Sequence, residues 1–178
     1  MDFGVISVRY ARALLKSATT MKLDRQVYAD MQTLATSYAD VPQLRFTIDN
    51  PMLEKAQKLK LLETACGKDA TPLTKRFVKL VLDEGREGTL PLMAQSFVAL
   101  YRQQKNITRG RLITATAVSP DTEAKMKRMV ETKTQGTVEF QTEVNPEIIG
   151  GFILEYDTYR MDASVKSKLN SILTELKK

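Results

Sequence analysis

A chain of 178 residues with 43% hydrophobic and 27% charged side chains can hold one ordinary domain or two small ones, and 8 glycines and 6 prolines place it with folded globular proteins. It carries a net charge of +6, one cysteine and no histidine, which excludes His-based nucleophiles and general bases, His-ligated metals and an intramolecular disulfide. No run approaches the roughly 18 consecutive apolar residues of a membrane span.

Residues Met1 to Tyr10 mix Asp2 and Arg9 with scattered apolar side chains and lack the continuous apolar stretch of a secretory signal. The periodicity predicts a first helix over 5–20. At about 100° per residue, Phe3, Ile6, Val8, Tyr10, Ala11, Ala13, Leu14, Leu15 and Ala18 span an arc of roughly 220°, leaving Arg9, Arg12 and Lys16 the remainder. A helix on the outside of a bundle needs an apolar stripe of only about 100° or somewhat more. Such a helix either runs through the middle of its bundle or is covered on one side by something else.

A second helix is expected over 23–39, with Val27, Met31, Leu34, Ala35 and Tyr38 in register. Asp40 is placed to cap a short third helix with Pro42 in its first turn, which Asn50-Pro51 ends. The fourth, over 55–66, aligns Ala56, Leu59, Leu62, Ala65 and Cys66 and stops at Gly67. Cys66 reads as a small buried side chain, which fits a reducing compartment. Thr71-Pro72 is an N-cap followed by proline at the first helical position, opening a fifth helix over 73–84. Leu73, Phe77, Val78, Leu80, Val81 and Leu82 cover roughly 200° of that helix, again more than a bundle requires. A sixth helix follows over 90–104, with Met93, Phe97, Leu100 and Tyr101 aligned.

Residues 106–110 read as a linker, after which the period falls towards 2. A central strand is expected over 111–118, then a helix from Ser119-Pro120 to about Lys133 with a stripe of Met126, Met129 and Val130. Gln135-Gly136 ends it, and Val138, Phe140 and Val144 alternate with Glu139, Gln141 and Glu143 as a half-buried strand. Phe152–Tyr156 and Tyr159–Met161 pair as a hairpin around Asp157-Thr158. A last helix aligns Val165, Leu169, Ile172, Leu173 and Leu176. The expected fold class is α+β: a six-helix bundle over 1–105, a linker over 106–110, and a small α/β domain over 111–178 with a three- to four-stranded sheet and two helices.

No Gly-Lys-Ser/Thr phosphate loop and no Gly-x-Gly-x-x-Gly occurs, and carboxylates such as Asp83 and Glu84 read as solvated helix faces. No catalytic residue, metal site or cofactor is expected. Paired glycines before an apolar strand, Gly150 and Gly151, fit a close approach of two backbones or a positive φ, and Asp162 is placed to cap the last helix. Residues 1–105 hold 16 Lys/Arg and 11 Asp/Glu, and this excess reads as spread over many helices, without the interleaved aromatics of a stacking platform. Nucleic-acid binding stands as the alternative that the charge invites, beside a general helical adaptor.

The run Val144-Asn145-Pro146-Glu147-Ile148-Ile149-Gly150-Gly151-Phe152-Ile153-Leu154, continued by Asp162-Ala163-Ser164-Val165-Lys166-Ser167-Lys168-Leu169, resembles the C-terminal signature of the delta subunit of F-type ATP synthase, called OSCP in mitochondria. Ala163 replaces that family's usual glycine, and Lys166 and Lys168 its arginines. Tyr10-Ala11-Arg12-Ala13-Leu14, Asn50-Pro51 and Leu82-Asp83-Glu84-Gly85-Arg86 are similar to further family segments in the same order. The resemblance implies a non-catalytic stator subunit, peripheral at the cytoplasmic face of the bacterial inner membrane. It further implies that the helical domain grips alpha-subunit N-terminal helices and that the C-terminal domain holds the distal end of the b-subunit stalk. No nucleic-acid partner is implied. A partner helix laid between helices 1 and 5 would cover their surplus apolar arcs, which makes Ile6, Tyr10, Ala13, Leu14, Phe77 and Val81 the expected contact residues. Gly150, Gly151 and Asp162 are the expected structural signature of the C-terminal domain.

Overall fold

The computed structural model describes residues 3–134, 136–156 and 158–176. Expectations for Met1, Asp2, Gln135, Asp157 and the Phe3 side chain lie outside those residues. The fold is α+β, with eight α-helices and a mixed four-stranded sheet among the described residues. The chain divides into two compact units, Met1–Gln103 and Gln104–Lys178.

The first unit is helical: α1 (Phe3–Thr20), α2 (Asp24–Asp40), α3 (Pro42–Asp49), α4 (Lys55–Ala65), α5 (Pro72–Asp83) and α6 (Leu90–Lys105), with a 3-10 turn at Glu87–Thr89. Its core is built from Ala11, Leu14 and Ala18 of α1, Val27, Met31 and Leu34 of α2, Ile48, Leu62, Val78 and Val81, and Leu90, Met93 and Phe97 of α6. Asp40 does not cap α3. It ends α2, and Val41 precedes α3 with no side-chain cap, so Pro42 alone starts the short helix. The inward face of α4 also departs from its apolar pattern. Lys58 is buried with its Nζ 2.9 Å from Glu87 Oε1, while Ala56 is exposed.

Helix α5 starts as its sequence predicts, with Thr71 Oγ1 accepting the Thr74 N–H at 3.2 Å. A buried carboxylate adds to this. Asp30 of α2 accepts the Thr71 N–H at 2.9 Å and the Thr74 hydroxyl at 2.7 Å, which ties the first turn of α5 to the middle of α2.

In the second unit the strand order is β2-β1-β3-β4, with β1 (Ile107–Thr114), β2 (Thr137–Val144), β3 (Phe152–Tyr156) and β4 (Tyr159–Asp162). Strands β1 and β2 run parallel through the crossover helix α7 (Pro120–Thr134); β1–β3 and β3–β4 are antiparallel. Val130 of α7 packs with Leu112, Val138 and Leu154 on one sheet face.

Residues 107–110 are not a linker. They form the first half of β1, which begins four residues earlier than its composition indicates. Gly110 lies inside the strand because the Phe140 ring covers it: a Cβ there would sit 2.5 Å from Phe140 Cε1.

Asp30→Ala removes the acceptor shared by the Thr71 N–H and the Thr74 hydroxyl inside the helical unit. The expected loss is about 1–3 kcal/mol, read as a lower midpoint in urea unfolding followed by far-UV circular dichroism.

Candidate partner-docking site

Helix α5 is apolar on two sides. Thr74, Phe77, Val78, Val81 and Leu82 face inward, while Leu80 is 49% exposed and Leu73 half-buried. Helix α1 divides in the same way: Ala11, Leu14, Leu15 and Ala18 are buried, whereas Tyr10 is half-buried and Ala13 exposed. Between them lies an open trough of about 430 Å³, lined by Arg9, Tyr10, Ala13, Leu14 and Ser17 of α1 and by Leu73, Arg76, Phe77 and Leu80 of α5. The α5 residues follow the i, i+3, i+4, i+7 spacing of one helix face.

One end of the trough is latched. The Tyr10 ring meets Phe77 edge-on, with centroids 6.4 Å apart and planes at 64°. Arg86 Nη1 donates to the Tyr10 hydroxyl at 2.9 Å. Arg86 reaches there because α5 ends in a Schellman turn: Arg86 N–H bonds the Val81 carbonyl at 3.0 Å and Gly85 N–H the Leu82 carbonyl at 3.1 Å, with Gly85 at φ +65°.

Four of the six expected contact residues meet in this trough: Tyr10, Ala13, Leu14 and Phe77. Ile6 is half-buried and outside the lining. Val81 has no exposed surface and belongs to the core. Its place in the trough is taken by Leu80, one residue earlier and about 100° round the helix. Leu73, Arg76 and Arg86 complete the site, and only the helix spacing could have pointed to the first two.

The charge distribution also differs from its expectation. Helix α1 carries Arg9, Arg12 and Lys16 and no carboxylate; α5 carries Lys75, Arg76 and Lys79 against Asp83 alone. The rest of residues 1–105 holds ten Lys/Arg and ten Asp/Glu. The whole excess of the helical part therefore lies on the two helices that bound the trough, with Arg9 and Arg76 in its lining, rather than being spread over many helices.

In the second unit, Gly151 adopts φ +76°, and a Cβ there would lie 2.2 Å from the Ala163 carbonyl oxygen. The double glycine thus packs backbone to backbone against the start of α8 (Val165–Leu176), with the Val165 N–H bonded to the Gly150 carbonyl at 3.0 Å. Asp162 is not the N-cap of α8. Ser164 is, its Oγ accepting the Ser167 N–H at 3.2 Å. Asp162 ends β4 and accepts the Ser164 N–H at 3.0 Å and the Ser167 hydroxyl at 2.8 Å. These hydrogen bonds, those from Ser164 first, hold its carboxyl below the ordinary value of 3.8. Helix α8 has no buried residue, and Leu169, Ile172, Leu173 and Leu176 are all exposed.

Among the described residues no group of His, Cys, Asp or Glu is placed to hold a metal ion, and no helix is long and apolar enough to cross a membrane. Burial pushes the Cys66 thiol up to about 12, far from the range of a reactive thiolate. What the geometry offers is surface for apolar helices: a trough on the helical unit and an exposed stripe on α8.

The family described as ATP synthase delta (OSCP) subunit matches residues 6–176, and the chain belongs to it. Two relatives, both ATP synthase subunit delta, come from Phocaeicola vulgatus and Parabacteroides distasonis. The first is 44% identical, over 97% of this chain and 94% of the relative. The second is 42% identical, over 99% and 98%. A chain of the cryo-EM structure of the Toxoplasma gondii mitochondrial ATP synthase hexamer shares the fold, with a TM-score of 0.64 at 22% identity over 97% of each chain. Family membership makes this chain a non-catalytic stator subunit of an F-type ATP synthase.

Gly151→Ala is expected to destabilise the sheet unit by more than the roughly 1–2 kcal/mol of a left-handed backbone, because the added methyl meets a carbonyl. Gly85→Ala has open space around it and should cost no more than that range. Thermal unfolding of both variants reads the contrast. Because the Asp162 pKa is depressed on folding, its contribution is present above the ordinary aspartate pKa and lost as pH falls through the folded value. Amide exchange at the start of α8 should therefore speed up, relative to Asp162→Asn, as the solution is taken below pH 3.8.

Proposed function

We propose that this subunit joins the alpha/beta catalytic head to the b-subunit stalk. The helices through Lys105 act as a six-helix docking bundle for the head, and the sheet unit from Ile107 onward holds the distal end of the stalk. An amphipathic N-terminal helix of an alpha subunit lies in the α1–α5 trough, and the stalk meets the exposed stripe of α8. So held, the head is kept from turning with the rotor, and torque goes into conformational change there. The subunit sits peripherally at the cytoplasmic face of the inner membrane, attached through the complex.

The observation that carries this reading is the apolar trough between two helices whose opposite sides are already committed to the core. A stable contact of this kind buries at least about 1,000 Å² in total, and exposed ion pairs of about 1 kcal/mol or less cannot replace that. Tyr10, Leu73, Phe77 and Leu80 supply the apolar anchors, in the helix-in-groove mode.

Tyr10→Asp and Leu80→Asp should each weaken binding to purified catalytic heads by about tenfold or more while circular dichroism shows a folded chain. Val81→Asp should instead unfold the bundle, since it buries a charge in the core. Leu169→Asp with Leu173→Asp should reduce stalk binding and leave head binding intact. Normal titration of heads by both trough variants would remove the trough from the interface.

A further inference from the structure

We propose that the α1–α5 trough selects its helix by charge as well as by shape: the occupant carries carboxylates along both flanks of its apolar stripe. This rests on the docking function proposed above and specifies the chemistry of the docked segment.

Three observations carry it. Arg9 and Arg76 line the trough from opposite walls, α1 and α5 respectively. Neither makes an ion pair among the described residues, as Arg45 and Lys58 of the same unit do; what sets the two apart from its other cations is their place in the apolar lining. The lining contains no carboxylate, and the two wall helices hold the whole cationic excess of residues 1–105 while the remainder is balanced. Elsewhere in this unit cations are matched by acids in number; on these two helices they are not, and two of their six cations, Arg9 and Arg76, stand beside the apolar floor.

A helix closing over that floor strips water from the edges of both arginines. With neutral or basic flanks it would leave two guanidinium groups partly desolvated and unpaired, or repelled. With carboxylates on both flanks it supplies the missing partners, and a guanidinium offers two parallel donors to each. Each exposed pair adds about fivefold or less to affinity, so the apolar floor supplies most of the binding and the two pairs together supply the preference. The arginines set its register, its rate of association and its salt dependence. A nucleic acid fits less well, because of the two rings in the lining Phe77 is buried and Tyr10 has the Arg86 guanidinium 5.4 Å from its centroid, which leaves no stacking platform for successive bases.

The test uses the full chain and three helical peptides of about 20 residues, about 30 Å long. They share one apolar stripe at i, i+3, i+4 and i+7 and differ only in having Glu, Gln or Lys on its flanks. Dissociation constants are measured at about 50 mM and about 500 mM NaCl, where screening lengths differ severalfold. The Glu peptide should bind about 5- to 30-fold more tightly than the Gln peptide at low salt, and the gap should close at high salt. The double variant Arg9→Gln/Arg76→Gln should lose this preference and still bind the Gln peptide; Leu80→Asp should lose both peptides.

Equal affinity for the Glu and Gln peptides overturns the inference, as does a preference that survives in the double variant or an oligonucleotide that competes with the Glu peptide. Titration with the catalytic head is run in parallel. A head that binds while the peptides are not discriminated sinks the charge rule alone. Discrimination without head binding sinks the docking function and leaves the charge rule standing.

Discussion

Helix α5 has to satisfy two apolar environments at once, and the arrangement of the helical unit follows from that. A single-sided amphipathic helix would have buried its stripe and shown solvent a polar back. Here the inward side is completed by Thr74, a polar residue made compatible with the core by the Asp30 carboxylate. That substitution of a hydrogen bond for an apolar contact leaves Leu73 and Leu80 outside the core. The same polar knot fixes the first turn of α5 against α2, so the trough wall is held from behind rather than from within the trough.

This explains both what the sequence showed and where it misled. The surplus of apolar residues on α1 and α5 is visible on a helical wheel, and the trough lies where that surplus predicts an uncovered face. The phase of α5 is not visible. On the wheel Thr74 falls inside the apolar arc beside Val81, with Leu80 at its edge, and nothing local says whether a threonine there turns to the core or to a partner. Only the contact with Asp30, 44 residues away in the chain, breaks the tie. The start of β1 failed for a related reason. Asn106 and Gly110 are weak strand formers, and the residues from Ile107 to Gly110 are recruited by parallel pairing to 137–140 and by the Phe140 ring. The hairpin, the Thr71-Pro72 start and the double glycine needed no partner from afar and were legible. The balance of charge outside α1 and α5 was countable from the sequence once helix bounds were drawn.

The two units present their apolar surfaces differently. In the helical unit the surface is concave and framed by cations. On α8 it is a convex stripe on a helix with no buried residue, anchored at its start by Ser164, Asp162 and the backbone of Gly150. A trough receives a single helix of defined register; a bare stripe adds itself to a surface or coil supplied by another chain. Under the function proposed above, the two unlike surfaces would serve as grips for two unlike objects, the head and the stalk.

The Schellman turn after α5 also acts as a gauge of length. It fixes where the helix stops relative to the carbonyls of Val81 and Leu82, and Arg86 emerges three residues past the last α-helical position, at the bearing that meets Tyr10. One residue inserted or deleted between Leu80 and Gly85 would leave a perfectly good stop signal but swing the guanidinium by about a quarter turn or more, opening the latch without unravelling the helix. Chain length in α5 is therefore a constraint separate from its composition.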